Sequence, residues 1–119
     1  MTQLTLGEMI NKLKTFPDDT RICFGYPHSY RGNYCDLAFE DSDDREMSVK
    51  ELIQICYDEC VDKEFNGYKG DEMWLMTLKT PVWVSIYGCL RMENRLLDFE
   101  IFKNKISVIK SQGSIYERC

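Results

Sequence analysis

Apolar residues at Leu6, Met9, Ile10, Leu13 and Phe16 recur with the helical period behind Thr5-Leu6-Gly7-Glu8. In that opening the Thr hydroxyl and the Glu carboxylate satisfy each other's orphan backbone amides. The pattern predicts an amphipathic helix, ended by Pro17-Asp18-Asp19. A second start of the same kind, Ser48-Val49-Lys50-Glu51, puts Val49, Leu52, Ile53, Cys56, Tyr57 and Cys60 on one face. It predicts a second helix running to about Val61.

Elsewhere the period shortens to two. Residues 21–24 and 37–39 read as short strands around a long polar and aromatic loop at 25–36, with a turn at Asp41-Ser42-Asp43-Asp44. Residues 65–70 form a second glycine-bracketed loop. The β-formers at 73–78 and 82–87, separated by Lys79-Thr80-Pro81, predict a hairpin. Residues 96–102 and 106–109 predict two more strands joined by Lys103-Asn104-Lys105, and the tail from Ser111 reads as loose, with Ile115 and Tyr116 free to dock. Consecutive strands joined by short turns imply an α+β fold: an antiparallel β-sheet of about four to six strands with two amphipathic helices on one face. The expectation is a single domain over 1–119.

Composition narrows the function. At 119 residues a chain buries roughly 65% of its unfolded surface, so neither disulfide nor metal is required for folding. The net charge of −5 argues against a long nucleic-acid partner, which needs a broad basic face. The amino terminus shows no secretion signal and no apolar run approaches a membrane span, so the six cysteines read as reduced thiols and the expected location is cytoplasmic. Cys56 and Cys60 share a helix face, but with one histidine and no C-x-x-C pair a structural zinc is not expected, nor is any cofactor.

The stretch Gly25-Tyr26-Pro27-His28-Ser29-Tyr30-Arg31-Gly32-Asn33-Tyr34 carries the strongest candidate chemistry. Glycine admits close backbone approach, arginine forks onto phosphate oxygens and tyrosine offers a stacking face. Gly67-Tyr68-Lys69-Gly70 repeats the combination. The candidate ligand-binding set is therefore His28, Tyr30, Arg31, Asn33, Tyr34, Tyr68 and Lys69, with Arg91 and Arg95 as reserve phosphate ligands. The competing reading is a proline- and glycine-rich turn whose tyrosines pack on the sheet edge. No catalytic residue is expected: Cys35 and His28 lack a third orienting group, and Asp41, Asp43 and Asp44 read as solvated turn charges. Trp74, Met76, Trp83 and Ile86 read as core or subunit contact, and a sheet face left partly uncovered would favour a homodimer or higher homo-oligomer.

Thr5-Leu6-Gly7-Glu8, Pro27-His28-Ser29-Tyr30-Arg31-Gly32, Leu37-Ala38-Phe39-Glu40, Gly67-Tyr68-Lys69-Gly70 and Val82-Trp83-Val84 together resemble the Thoeris anti-defence family of bacteriophages and prophages. The likeness covers most of residues 5–88 and is weak beyond Cys89. It implies an α+β protein assembled as dimers or larger rings in the cytoplasm of an infected bacterium. It also implies binding, without cleavage, of cyclic ADP-ribose isomers made by bacterial immune TIR enzymes, and for some members a separate site for cyclic oligonucleotides. The alternatives are an inhibitor that binds a host defence protein through its acidic surface, and a small nucleotide-hydrolysing enzyme. The charge distribution bears on this choice. Residues 40–64 hold ten acids against three bases, so the rest of the chain is net +2, compatible with a small anion in a local basic pocket.

Overall fold

The computed structural model describes residues 2–30, 35–41, 45–66, 72–86, 90–111 and 114–117, with backbone alone at 90–92 and 114–117. Helix α1 (Leu6–Leu13) starts at the expected capping box: Glu8 N–H donates to Thr5 Oγ1 at 3.2 Å and Thr5 N–H to Glu8 Oε1 at 2.9 Å. It buries Leu6, Met9, Ile10 and Leu13 and ends before Pro17, so Phe16 packs on the core from a turn. Helix α2 (Val49–Ile55) begins at Ser48 with the second capping box. It then widens into a π-helical turn, Cys56–Cys60, in which Val61 N–H reaches the Cys56 carbonyl at 2.9 Å. Cys56 and Cys60 are both fully buried there.

The strands are β1 (Arg21–Cys23), β2 (Pro27–Ser29), β3 (Leu37–Glu40), β4 (Glu46–Ser48), β5 (Lys63–Asn66), β6 (Met73–Met76), β7 (Val82–Ile86), β8 (Leu90–Phe102), β9 (Lys105–Lys110) and β10 (Ser114–Glu117). The fold is α+β as expected, but its sheet is larger and mixed. Eight strands run in the order β2-β3-β7-β8-β9-β1-β4, with β10 also paired to β8. Pairs β3/β7 and β1/β9 are parallel. Strands β5 and β6 form a separate two-stranded ribbon.

Three sequence expectations change. The loop at 25–36 contains β2, whose polar residues hide an antiparallel pairing with β3. The tail supplies β10 rather than a loose end. The hairpin expected from 73–78 and 82–87 does not form: β6 pairs with β5, and β7 lies between β3 and β8. The reason lies in helix α1. Thr80 closes a tight turn by accepting the Thr77 N–H at 2.8 Å, and the segment then offers carbonyls to the helix start. Leu6 N–H donates to the Thr80 carbonyl and Gly7 N–H to the Leu78 carbonyl, each at 2.8 Å. Helix amides that lack an internal partner are thus satisfied by the connection itself. Glycine at position 7 eases this approach, because a Cβ there would lie 3.0 Å from the Leu78 oxygen and the connection would have to give by a few tenths of an ångström.

Both helices contribute to one core with Ile22, Phe24, Leu37, Phe39, Val82, Val84, Leu96, Phe99 and Ile106. Phe24 stacks on Phe39 with centroids 5.4 Å apart and meets Phe99 edge-on at 6.2 Å. A bulge between Leu96 and Asp98 breaks the alternation of β8, so both Leu96 and Phe99 reach the core although three positions separate them. Among the described residues no helix is long and apolar enough to cross a membrane.

Candidate functional site

Strand register determines which side chains lie opposite the helices. On β7, Val82 and Val84 enter the core, so Trp83 and Ser85 belong to the other face. The pairings His28 with Ala38, Ala38 with Trp83 and Trp83 with Arg95 then align four residues across β2, β3, β7 and β8. At ~4.8 Å per strand this row spans ~14 Å. Glu40, Ser85 and Glu93 form the next row on the same face.

Trp83 is the centre of the first row. Tyr30, two residues beyond His28 and nearly buried, stacks on the indole with centroids 4.1 Å apart and planes 8° from parallel. The guanidinium carbon of Arg95 stands 5.7 Å from the indole centroid, within range of a cation–π attraction. Trp83 Nε1–H donates to Asp36 Oδ2 at 2.9 Å. Burial pushes the Asp36 carboxyl above its ordinary value, and the hydrogen bond from Trp83 offsets part of that rise. The Arg95 backbone is pinned on both sides by Ser111, whose Oγ accepts the Arg95 N–H at 3.0 Å and whose N–H reaches the Arg95 carbonyl at 3.0 Å.

The imidazole of His28 is oriented by its own strand. Nδ1 lies 2.9 Å from the Ser29 carbonyl, and a carbonyl only accepts, so Nδ1 carries the proton. In the neutral ring Nε2 is then an acceptor. The second row is a polar pair inside the sheet: Ser85 Oγ–H donates to Glu93 Oε2 at 2.6 Å, and both residues are fully buried. Beside it Lys110 Nζ meets Asp41 Oδ2 at 3.0 Å, which commits that lysine to an internal ion pair.

The structure therefore brings together His28, Tyr30 and Arg95 of the expected set, and places Arg91 opposite Tyr116 at the β8/β10 pairing. Arg31, Asn33, Tyr34, Tyr68 and Lys69 lie outside the described residues. Tyr30 does not present an open stacking face as expected; it is used against Trp83. Trp83, read from sequence as core or subunit contact, is not core: it is half-buried on the face away from the helices. Asp36 and the Ser85–Glu93 pair were missed, because only the register of four non-consecutive strands brings them near the loop residues.

An arginine held beside an aromatic pair in this way can take an anionic group. Cys56 and Cys60 have no such potential. Burial, with Glu59 adding to it, pushes the Cys60 thiol up to about 12. Burial, with Cys60 adding to it, raises Cys56 as well. Both remain protonated at neutral pH and are poor metal ligands or nucleophiles. Comparisons of the chain with protein-family models, with curated proteins and with solved structures each return no match.

Proposed function

We propose that the protein binds a small anionic nucleotide signal of the cyclic ADP-ribose type on the Trp83 face and holds it unchanged, as an anti-defence sponge. One observation supports this above the others: Arg95 stands over an indole that is itself stacked on Tyr30, in one row with His28. Arg95 would take a phosphate, and His28 and the edge of Trp83 would meet the base or ribose. Sequestration requires affinity and no general base, which suits a site made of cations and aromatics. The Thoeris resemblance narrows the ligand from any nucleotide to that class.

The test is to titrate the purified chain with cyclic ADP-ribose isomers and cyclic dinucleotides, denature it by heat and recover the ligand. Intact ligand after saturable binding is the expected result. A converted product identifies a nucleotide-hydrolysing enzyme instead, and the lack of a thermal shift with every nucleotide overturns the reading.

A second reading rests on the exposed acids Glu51, Asp58, Glu59, Asp62 and Glu64 around the exposed Tyr57. They suit an inhibitor that docks on a basic host protein. Stoichiometric capture of a host protein that persists in Arg95→Ala and is lost on neutralising Asp58 and Glu59 would favour it.

A further inference from the structure

A second site of different chemistry lies at the start of α2. A cleft of ≈ 280 Å³ is lined by Tyr26, Arg45, Glu46, Met47, Glu51 and Ile55, none of which belongs to the Trp83 row. The pairing of β1 with β4 continues one step past its last register pair, Cys23 with Glu46: Phe24 N–H donates to the Arg45 carbonyl at 3.1 Å. That bond sets Arg45 beside Tyr26, and the guanidinium carbon stands 3.7 Å from the centroid of the tyrosine ring. Stacking fixes the plane of the guanidinium while leaving its in-plane N–H groups directed outward. Among the described residues the Arg45 side chain has no hydrogen bond and no ion pair.

Two carboxylates line the same cleft, and neither neutralises Arg45. Glu46 Oε1 is held by Arg21 Nε at 2.9 Å; that hydrogen bond, with the charges of Arg21 and Lys105, keeps its carboxyl below the usual range. Glu51 Oε1 accepts from the Ser48 hydroxyl at 3.1 Å and from the Ser48 N–H at 3.4 Å, as part of the helix cap. Each of these contacts uses Oε1. The cleft's exposed lining is mainly polar; Met47, almost fully buried, underlies it, and half-buried Ile55 supplies most of its apolar surface.

We propose that this cleft binds a small zwitterion of the α-amino-acid class with an apolar side chain. Its carboxylate forks onto Arg45, its ammonium meets the Oε2 atoms of Glu46 and Glu51, and its side chain lies along Ile55 beside the buried Met47. The competing ligand classes each fail one of these features. A phosphate brings further negative charge next to two carboxylates, so like-charge repulsion opposes it. A neutral apolar molecule covers the guanidinium without replacing its water. A cation lacks a partner for Arg45. Size points the same way, since the cleft lies just below the roughly 300–1,000 Å³ of pockets for drug-sized ligands. An open site for so small a ligand implies a dissociation constant on the order of 1 mM.

The experiment is methyl NMR on the full chain with labelled methionine, titrated separately with leucine, leucinamide, isocaproate and inorganic phosphate. Leucine is expected to shift the Met47 methyl saturably, while leucinamide, which lacks the carboxylate, and isocaproate, which lacks the ammonium, bind at least about tenfold more weakly. Arg45→Gln should weaken leucine by a similar factor with the other methionine signals unmoved, and Arg45→Lys should fall between. Arg95→Ala should leave leucine binding unchanged, which separates this site from the nucleotide reading. The proposal is overturned by no saturable shift with leucine at ~10 mM, by leucinamide binding as well as leucine, by phosphate giving the larger Met47 shift, or by loss of leucine binding in Arg95→Ala.

Discussion

The indole of Trp83 lies flat against the ring of Tyr30, 4.1 Å between centroids, and gives its one N–H to Asp36. The two rings come from β7 and from the end of β2, strands that are separated by β3 in the sheet. Their contact ties residues 25–30 to the sheet face. Truncating Trp83 removes the stack and leaves Asp36 without that donor. Trp83→Ala should therefore cost about 2–3 kcal/mol in urea unfolding, near the low end for truncating a buried aromatic because Trp83 is half-exposed. A cost below about 0.5 kcal/mol would show that the stack does not anchor the segment.

Arg95 separates binding from stability. Its side chain is exposed, so Arg95→Ala should leave stability within about 0.5 kcal/mol of the wild type. Loss of a charge-assisted hydrogen bond to a phosphate should weaken a bound cyclic nucleotide about ten- to a hundredfold, read by calorimetric titration. Unchanged affinity would remove Arg95 from the site.

Asp36 makes stability depend on pH in a defined direction. Its folded-state carboxyl is raised above 3.8, so folding favours the protonated form. That contribution is fully present below 3.8 and is lost as pH rises through the raised value. Asp36→Asn retains an oxygen acceptor for Trp83 Nε1–H and removes the desolvated charge. Denaturation midpoints should show the variant gaining on the wild type between pH 3 and pH 7, a window set by the ordinary carboxylate range. A variant less stable at neutral pH would mean that the ionised carboxylate holds Trp83 better than burial penalises it.

Thiol labelling should divide the cysteines. Cys35 is exposed and should react with a thiol reagent in the native protein. Cys56 and Cys60, buried and held protonated, should react only on unfolding. Mass spectrometry after a short native pulse reads the difference, and native labelling of Cys60 would contradict the packing of the π-helical turn.

Gly25→Ala tests the close approach beside the site. A Cβ there would fall 2.7 Å from the Glu40 Cβ and 2.9 Å from its Oε2. Gly25 N–H also donates to the Glu40 carbonyl at 2.7 Å, so the backbone has little room to retreat. The expected cost is about 1–3 kcal/mol in thermal or urea unfolding. A neutral substitution would place the strain in a mobile Glu40 side chain.

Both helix starts were legible because capping is local: Thr5 with Glu8 and Ser48 with Glu51 carry their own partners within one turn. The α+β class was legible from the change of period. Partner choice was not. Residues 79–81 read as a hairpin turn from their composition, yet the carbonyls of Thr80 and the adjoining Leu78 serve the amides of Leu6 and Gly7 more than seventy positions away. Site chemistry divides along the same line. His28, Tyr30 and Arg95 declared themselves by residue type, whereas Trp83 and Asp36 joined them only through pairings of β2, β3, β7 and β8 that no local pattern encodes. The Tyr26–Arg45 contact likewise depends on β1 meeting β4.

The bulge between Leu96 and Asp98 acts on β8 as a frameshift acts on a coding sequence. Before it, odd-numbered positions such as Glu93 and Arg95 belong to the Trp83 face; after it, odd-numbered Phe99 is core. One strand is thereby read in two phases. Substitutions on the Arg95 side can diversify without touching the Phe24–Phe99 packing, and deletion of the single extra residue at the bulge would bring both halves into one phase with Leu96 and Phe99 still on the core face.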